Sequence, residues 1–141
     1  MSTKTTRSSD LELAGEALGV MPRAHAPYSR FPVGAALLGR SGRTFLGVNV
    51  ENASLGLSVC AERIAVFTAV AAGERTFDAI AIATSEASPT PPCGACRQVL
   101  LEFCDDDLTI LHVNSGAPDV VVRHTLGDLM PFPFRQFTPG A

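Results

Sequence analysis

Residues 59–84, VCAERIAVFTAVAAGERTFDAIAIAT, form the segment on which the fold assignment depends. Residues 59–72 carry charges only at Glu62 and Arg63, so beyond its first turn a helix here is apolar on every side, and we expect it to be buried all round. Gly73 ends this helix. Residues 77–84 alternate alanine and isoleucine, which predicts an interior strand. A helix next to a buried strand is typical of an α/β domain.

The flanking sequence predicts the remaining elements. Residues 33–38 and 44–50 are apolar runs on either side of Gly39-Arg40-Ser41-Gly42-Arg43, which predicts a β-hairpin. The other predicted elements are a helix from Ser9 or Asp10 to about Met21, a helix at 93–104, strands at 108–113 and 120–123, and a short helix at 125–129. We therefore expect a three-layer α-β-α domain with a mixed, five-stranded sheet.

The length and the cysteine count bound the class of protein. The chain has 141 residues, 46% of them apolar, which suits one domain with its own core. We divide it into a flexible N-terminus at 1–9 and a single domain at 10–141. A domain of this size needs no disulfides to fold, so its four cysteines suggest metal binding or redox chemistry instead.

The charge pattern argues against two classes of partner. Eleven basic and 14 acidic side chains give a net charge of -3, without a run of lysine or arginine. Proteins that bind nucleic acid or anionic membranes neutralise phosphates with basic clusters, so we expect neither partner. We also expect a cytoplasmic protein, since no apolar stretch approaches the roughly 18 to 20 residues of a membrane span and the polar first ten residues lack a signal-peptide core.

Three of the four cysteines lie in two short motifs, Cys60-Ala61-Glu62-Arg63 and Pro92-Cys93-Gly94-Ala95-Cys96. Both motifs lie where a loop is predicted to become a helix, and the positive end of a helix favours the thiolates that zinc requires. Cys93 and Cys96 share a helix face, so a single zinc ion could lie between two helix N-termini. Three ligands leave zinc's fourth position free, as in catalytic sites. Cys104 is about 12 Å further along the helix and is predicted to be a core thiol.

Glu62 is the candidate catalytic residue. It follows Cys60 by two positions, and from the first turn both side chains can approach a point ahead of the helix axis. A carboxylate at such a point can shuttle protons. The alternative is a first-turn glutamate that only complements the helix dipole. The three-thiol set next to it favours the catalytic interpretation.

Four blocks of the sequence occur in a characteristic order: PYSRFPVGAAL at 27–37, NVENAS at 49–54, CAER at 60–63 and PCGACRQ at 92–98. Together they resemble the zinc deaminases, and more narrowly the small homotetrameric cytidine deaminases of pyrimidine salvage. The resemblance implies a zinc-dependent deaminase domain that converts cytidine and 2′-deoxycytidine to uridine and 2′-deoxyuridine with release of ammonia. It also implies Zn²⁺ as cofactor, a small nucleoside as substrate, and a homotetramer whose active sites are shared between subunits.

The resemblance also assigns roles to individual residues. Cys60, Cys93 and Cys96 would hold zinc, and Glu62 would move a proton from the attacking water to N3 of the pyrimidine. The remaining implied roles are ribose contacts from Asn49 and Glu51, base-pocket contacts from Phe31 and Ala61, an aromatic ring from a neighbouring subunit at Phe134, and hydrogen bonds from Arg63 to the ligand thiolates.

Several of these residues have structural alternatives. Phe31 and Phe134 could be core residues, and Asn49 and Glu51 could belong to a turn and the rim of a cleft. Arg97 could be a second partner of the thiolates, but a solvated helix residue is the favoured interpretation. The histidines show no ligand spacing and are predicted to be structural: His25, His112 and His124. Leu55 and Ile64 stand where many relatives carry tyrosine and threonine, which affects the expected contacts between subunits.

Three other functions remain open from the residues. A deaminase of a cytosine-containing antibiotic such as blasticidin S would share both cysteine motifs. A binding module with a purely structural zinc would share the ligands. A redox pair formed by Cys93 and Cys96 would leave Cys60 and Glu62 unexplained. The block at 49–54 favours the nucleoside deaminase.

Overall fold

The computed structural model describes residues 8–137, so most of the predicted flexible N-terminus lies outside the described residues. The elements in chain order are α1 (Ser8–Val20), a 3-10 turn (Met21–Arg23), β1 (Gly34–Gly39), β2 (Thr44–Val48), a second 3-10 turn (Leu55–Leu57), α2 (Ala61–Ala71), β3 (Phe77–Thr84), α3 (Gly94–Phe103), β4 (Thr109–Asn114), β5 (Ala117–Thr125) and α4 (Leu126–Leu129). None of the helices in this part of the chain is long and apolar enough to cross a membrane.

The five strands form one mixed sheet in the order β2-β1-β3-β4-β5. β3 and β4 run parallel, whereas the other neighbouring strands among the described residues are antiparallel. The parallel pair requires a crossover connection, and α3 provides it. The predicted mixed, five-stranded sheet is confirmed.

Helices cover both faces of the sheet. On one face α1 packs Leu13, Ala14 and Ala17 against small and branched strand residues such as Ala81 and Leu111. The other face carries a second apolar cluster, in which α2 and α3 pack on the sheet: Val66, Leu100, Ile80, Ile82 and Ile110. The period of two along β3 sends alternate residues to the two clusters. The structure is therefore the predicted three-layer α-β-α arrangement.

The prediction that the helix after Cys60 is buried all round is wrong for the single chain. Ala61, Ala65 and Ala69 are fully buried against the sheet, but Phe67 on the outer side of α2 is 49% exposed. A helix in an outer layer has only one face on the sheet, and within the described chain no further element covers the side that carries Phe67. The outer face of α2 is therefore an apolar surface that is open to solvent in the single chain.

Several element boundaries also differ from the prediction by one to three residues. α1 begins at Ser8, before the expected cap at Ser9 or Asp10. β5 begins at Ala117 instead of residue 120, because Asn114 pairs directly with Ala117 across a two-residue turn. β5 is an edge strand of the sheet, and an edge strand tolerates the proline at position 118.

Two glycines let the helices approach the hairpin closely. A Cβ atom on Gly34 would lie 2.9 Å from the Met21 nitrogen, beside the end of α1. A Cβ atom on Gly47 would lie 2.5 Å from the Ala65 nitrogen and would collide with the Ala61 carbonyl oxygen. Gly47 therefore determines how closely the first turn of α2, which carries Glu62, can approach β2.

We expect Gly47→Ala to destabilise the protein by about 1–3 kcal/mol, because the added methyl group forces the backbone of α2 away from β2. Thermal unfolding should show a Tm lower by several degrees. Gly15→Ala is the matched control, since nothing lies within 4 Å of its new Cβ and alanine favours the helix. An unchanged Tm in Gly47→Ala would contradict the close approach of α2.

Candidate active site

The two cysteine motifs meet at the N-termini of α2 and α3. Cys60 and Cys93 are extended residues immediately before these helices, and Cys96 lies in the first turn of α3. The Sγ atoms of Cys60 and Cys93 are 3.9 Å apart, and those of Cys93 and Cys96 are 3.4 Å apart. All three sulfurs lie within 4.8 Å of one another, which makes them a group that could hold a metal ion.

The spacing of the sulfurs fits zinc. Zinc–sulfur bonds of about 2.3 Å in a tetrahedral arrangement place neighbouring sulfurs about 3.8 Å apart. Thiolates so close together repel one another, and a divalent cation relieves that repulsion. Cys104 does not belong to this group: it lies at the far end of α3, is 8% exposed, and packs in the core, as predicted.

The pKa values of two of the three thiols are shifted in opposite directions. The neighbouring Cys96 thiol and the Arg63 guanidinium lower the pKa of Cys60 to about 5, against the effect of partial burial. The Arg63 guanidinium donates to Cys60 Sγ over 3.5 Å. The pKa of the fully buried Cys96 is raised, because it lies beside the Cys60 sulfur and is desolvated. Arg63 thus provides positive charge beside the thiol group.

Glu62 is a buried carboxyl group next to these thiols. Its side chain is 6% exposed and lines the same cavity as Cys60 and Cys93. Burial, together with the negative charge of Cys60, raises the pKa of Glu62 to about 7. A carboxyl group with such a pKa can both accept and donate a proton near neutral pH, which is what a proton shuttle requires.

A cavity of about 230 Å³ brings most of the predicted site residues together. Seven of the residues predicted from the sequence line it, namely two cysteines, two glutamates and three residues predicted to contact the base or the ribose: Cys60, Cys93, Glu62, Glu51, Asn49, Phe31 and Ala61. Its lining also includes Ser29, Thr84 and Thr90, which sequence reasoning missed. Thr84 and Thr90 have no local signature, because the fold alone brings the end of β3 to this place.

Asn49 and Glu51 are also structural residues. Asn49 Oδ1 accepts from the Val33 nitrogen at 2.8 Å, and Asn49 Nδ2 donates to the Phe31 carbonyl oxygen at 2.9 Å. The Asn49 amide carries a second N–H that these bonds leave available. Glu51 Oε1 accepts from the backbone nitrogens of Tyr28 and Ser29, each at 3.0 Å. The two residues therefore secure the segment that carries Phe31.

Phe134 does not line this cavity within the single chain. Its side chain is 65% exposed, and its carbonyl oxygen accepts from Gln98 Nε2 at 2.8 Å. The predicted contribution of Phe134 to a neighbouring subunit's site therefore stays a prediction.

The favoured interpretation of Arg97 as a solvated helix residue is wrong. Its guanidinium donates to the carbonyl oxygens of Pro92 at 2.7 Å and Leu129 at 2.6 Å. His112 is 3% exposed, and its Nδ1 lies 3.1 Å from the Thr90 carbonyl oxygen. Both side chains therefore hold the segment that leads into Cys93. The structural role predicted for His112 agrees with this contact.

An α-β-α fold with three thiols and a buried glutamate at two helix N-termini defines the class of zinc-dependent deaminases. Residues 7–112 match the family profile described as the cytidine and deoxycytidylate deaminase zinc-binding region. The chain belongs to the cytidine and deoxycytidylate deaminase family, and its cofactor is zinc.

Individual relatives agree with this assignment. The chain is 43% identical to the cytidine deaminase of Halalkalibacterium halodurans over 92% of its own length and 90% of the relative's. The crystal structure of cytidine deaminase from Burkholderia pseudomallei superposes with a TM-score of 0.83 and 44% identity, covering 92% of this chain and all of the other. A blasticidin-S deaminase from Bacillus cereus is 27% identical over 95% of this chain and 98% of its own.

We expect Cys60→Ala, Cys93→Ala and Cys96→Ala each to reduce the zinc content of the purified protein, since each removes one sulfur from the group. Inductively coupled plasma mass spectrometry gives the zinc-to-protein ratio. Cys104→Ala is the matched control and should retain the wild-type ratio, because Cys104 packs in the core. Full zinc occupancy in any one of the three site variants would remove that cysteine from the ligand set.

Proposed function

We propose that this chain is a cytidine deaminase that hydrolyses cytidine and 2′-deoxycytidine to uridine and 2′-deoxyuridine and releases ammonia. The observation that carries the proposal is that one cavity is lined both by Cys60, Cys93 and Glu62 and by the polar pair Asn49 and Glu51. The first set suits hydrolytic chemistry and the second suits the hydroxyl groups of a sugar. The family assignment and the cytidine deaminase relatives support the same reaction.

Cys60, Cys93 and Cys96 would hold zinc, which when bound supplies a Lewis acid that brings the pKa of a water molecule close to neutrality. Glu62 accepts a proton from the attacking water and delivers it to N3 of the pyrimidine, while the water oxygen attacks C4. Glu62 then takes the remaining proton of that water from the hydroxyl group at C4 and gives it to the amino group, so that the C4–N bond breaks, a C4 carbonyl forms and ammonia leaves. A pKa near 7 suits both directions of transfer.

Asn49 and Glu51 bind the sugar of the nucleoside. The Ser29 hydroxyl, the Ser29 nitrogen and the Tyr28 nitrogen hold the pKa of Glu51 below its usual range, so this carboxylate is ionised and acts as an acceptor for sugar hydroxyls. The same negative charge disfavours a phosphorylated sugar by repulsion. The free nucleoside is therefore the proposed substrate. Phe31 and Ala61 contribute apolar surface for the base.

We also propose a homotetramer in the cytoplasm that serves pyrimidine salvage. The support for the assembly is the amount of large apolar surface that the single chain leaves open, and the family supports the metabolic role. Phe67 on α2 is 49% exposed, and Phe132, Phe134 and Phe137 in the C-terminal tail are more exposed still. Contiguous exposed apolar surface is typical of subunit interfaces. A ring of Phe134 donated by a neighbouring chain would complete the base pocket.

Turnover is tested by the loss of cytidine absorbance in the ultraviolet, with ammonia measured in parallel. We expect zinc-loaded protein to convert cytidine and 2′-deoxycytidine much faster than cytidine 5′-monophosphate or blasticidin S. A preference for blasticidin S would instead support the function of the more distant relative. No turnover of either nucleoside by a protein with full zinc occupancy would overturn the proposal, and would favour a structural zinc.

We expect Glu62→Gln to lower kcat by at least about 10²–10⁴-fold, because an amide cannot carry protons between water and the base. Zinc content should stay at the wild-type level, since Glu62 is not a member of the thiol group. Glu16→Gln is the control: Glu16 is an exposed glutamate on α1, across the sheet from the site. Near wild-type kcat in Glu62→Gln would exclude Glu62 from the mechanism.

The proposed assembly predicts a particle of four 14.8 kDa chains. Light scattering coupled to size-exclusion chromatography measures this mass. If the outer face of α2 is buried between subunits, Phe67→Asp should shift the protein towards smaller species. The comparison variant is Leu46→Asp, which places the same charge at a 40% exposed position on the edge strand β2. An active species with the mass of one chain would reject the tetramer.

A further inference from the structure

We propose that Ser29 is a positioning residue that orients the Glu51 carboxylate and the backbone of Phe31, and thereby sets the affinity of the cavity for the hydroxyl groups of its ligand. This inference rests on the proposed function for the identity of the ligand. Ser29 lies in the block at 27–37 and carries no local signature of such a role.

The contacts of Ser29 connect both walls of the cavity. The Ser29 hydroxyl donates to Glu51 Oε2, and the Ser29 nitrogen donates to Glu51 Oε1 at 3.0 Å. The same Oγ accepts from the Phe31 nitrogen at 3.0 Å. Ser29, Phe31 and Glu51 all line the cavity. One hydroxyl group therefore links the acceptor for sugar hydroxyls to the segment that presents the aromatic ring.

The intervening backbone needs this support. Arg30, between Ser29 and Phe31, has a φ of 55° and so lies in the left-handed region, which a non-glycine residue adopts at a cost. The bond from the Phe31 nitrogen to Ser29 Oγ spans Arg30, and the bond from the Arg30 nitrogen to the Ala26 carbonyl oxygen, at 2.9 Å, ties the turn on its other side. Loss of the Ser29 hydroxyl removes one of these two hydrogen bonds.

The Glu51 side chain is half-buried, so burial alone does not fix the orientation of its carboxylate. Hydrogen bonds to a charged acceptor are directional, and the two Ser29 donors with the Tyr28 nitrogen fix both carboxylate oxygens before a ligand arrives. Preorganisation of this kind increases affinity, because the ligand need not order the group itself. The effect belongs to binding of the sugar and leaves proton transfer at Glu62 unchanged.

The chain contains a matched control for Ser29. Ser41, in the β1–β2 turn at the opposite end of the hairpin from the cavity, donates through its hydroxyl to Glu74 Oε1 at 2.7 Å and through its nitrogen to Glu74 Oε2 at 3.2 Å. Its Oγ also accepts from the Arg43 nitrogen, two residues on, at 3.3 Å. Ser41→Ala, like Ser29→Ala, removes only the two bonds of the hydroxyl group, one to a carboxylate and one from a backbone nitrogen, at a place that does not line the cavity.

The test compares wild type, Ser29→Ala, Ser29→Thr and Ser41→Ala with two substrates, cytidine and 2′,3′-dideoxycytidine, by ammonia release. We expect Ser29→Ala to raise KM for cytidine about tenfold, as for one charge-assisted hydrogen bond, with kcat within about threefold of wild type. The loss in kcat/KM should be several-fold smaller for 2′,3′-dideoxycytidine, which has no hydroxyl group at either position for Glu51 to bind. Ser29→Thr should restore most of the affinity, and Ser41→Ala should leave KM unchanged.

An unchanged KM in Ser29→Ala, or an equal loss for both substrates, would overturn the inference. The rate at which the wild-type protein releases ammonia from cytidine tests the proposed function. The ratio of KM between Ser29→Ala and wild type tests the role of Ser29. A second measurement requires no turnover: carboxyl-carbon NMR of Glu51 should show a higher pKa in Ser29→Ala than in wild type, and no change in Ser41→Ala. An unaltered titration of Glu51 in a folded Ser29→Ala protein would also contradict the role of Ser29.

Discussion

The structure depends on the requirement that three cysteine sulfurs from two different helices come within the reach of one cation. Cys60 and Cys93 are separated by 33 positions, yet their sulfurs are 3.9 Å apart. The parallel pair β3 and β4 makes this possible: α3 starts at the edge where β3 ends and runs back towards the edge where β4 begins, so its N-terminus lies at the carboxyl end of β3. α2 and α3 then present their N-termini at that edge, where the partial positive charge of each helix favours thiolates.

The supports of this centre come from distant parts of the chain. Arg97 and His112 hold the carbonyl oxygens of the segment before Cys93, and Gly47 allows the first turn of α2 to lie directly on β2. These residues position the site through backbone contacts. Asn49 and Glu51 combine both tasks, since they bind backbone groups of the segment at 28–33 and also line the cavity. The polar wall is thus built into the loop that carries Phe31.

A chain of this size buries its sheet on both faces and still leaves aromatic side chains open to solvent. α1 covers one face of the sheet and α2 and α3 the other, but the outer side of α2 and the tail after α4 have no covering layer within the described residues. The energetic cost of this exposure is consistent with the proposed association of several chains. Under that proposal, neighbouring chains cover the outer side of α2 and the aromatic side chains of the tail.

Much of the architecture follows from local patterns. The alternation in β3, the glycine-rich turn between β1 and β2 and the cysteines at two helix starts are short-range signals, and the structure has those elements at nearly the predicted positions. The three thiols and Glu62 could be grouped from the sequence because helix geometry fixes where first-turn side chains point. The sequence by itself therefore determined the layered fold, the group of three cysteines that could hold a metal ion, and the family.

Tertiary structure decided what depends on contacts between distant segments. Arg97 proved to bind carbonyl oxygens of two separate segments, the loop before α3 and the end of α4, and the outer face of α2 proved to be exposed, because both depend on which elements lie alongside. The contact on which the proposed role of Ser29 rests has no signal in the sequence for the same reason: its partner Glu51 is 22 positions away, and only the hairpin between them brings the two together. Residue types and periods are local properties of a chain, whereas hydrogen-bond partners and solvent exposure are set by the packing of the whole fold.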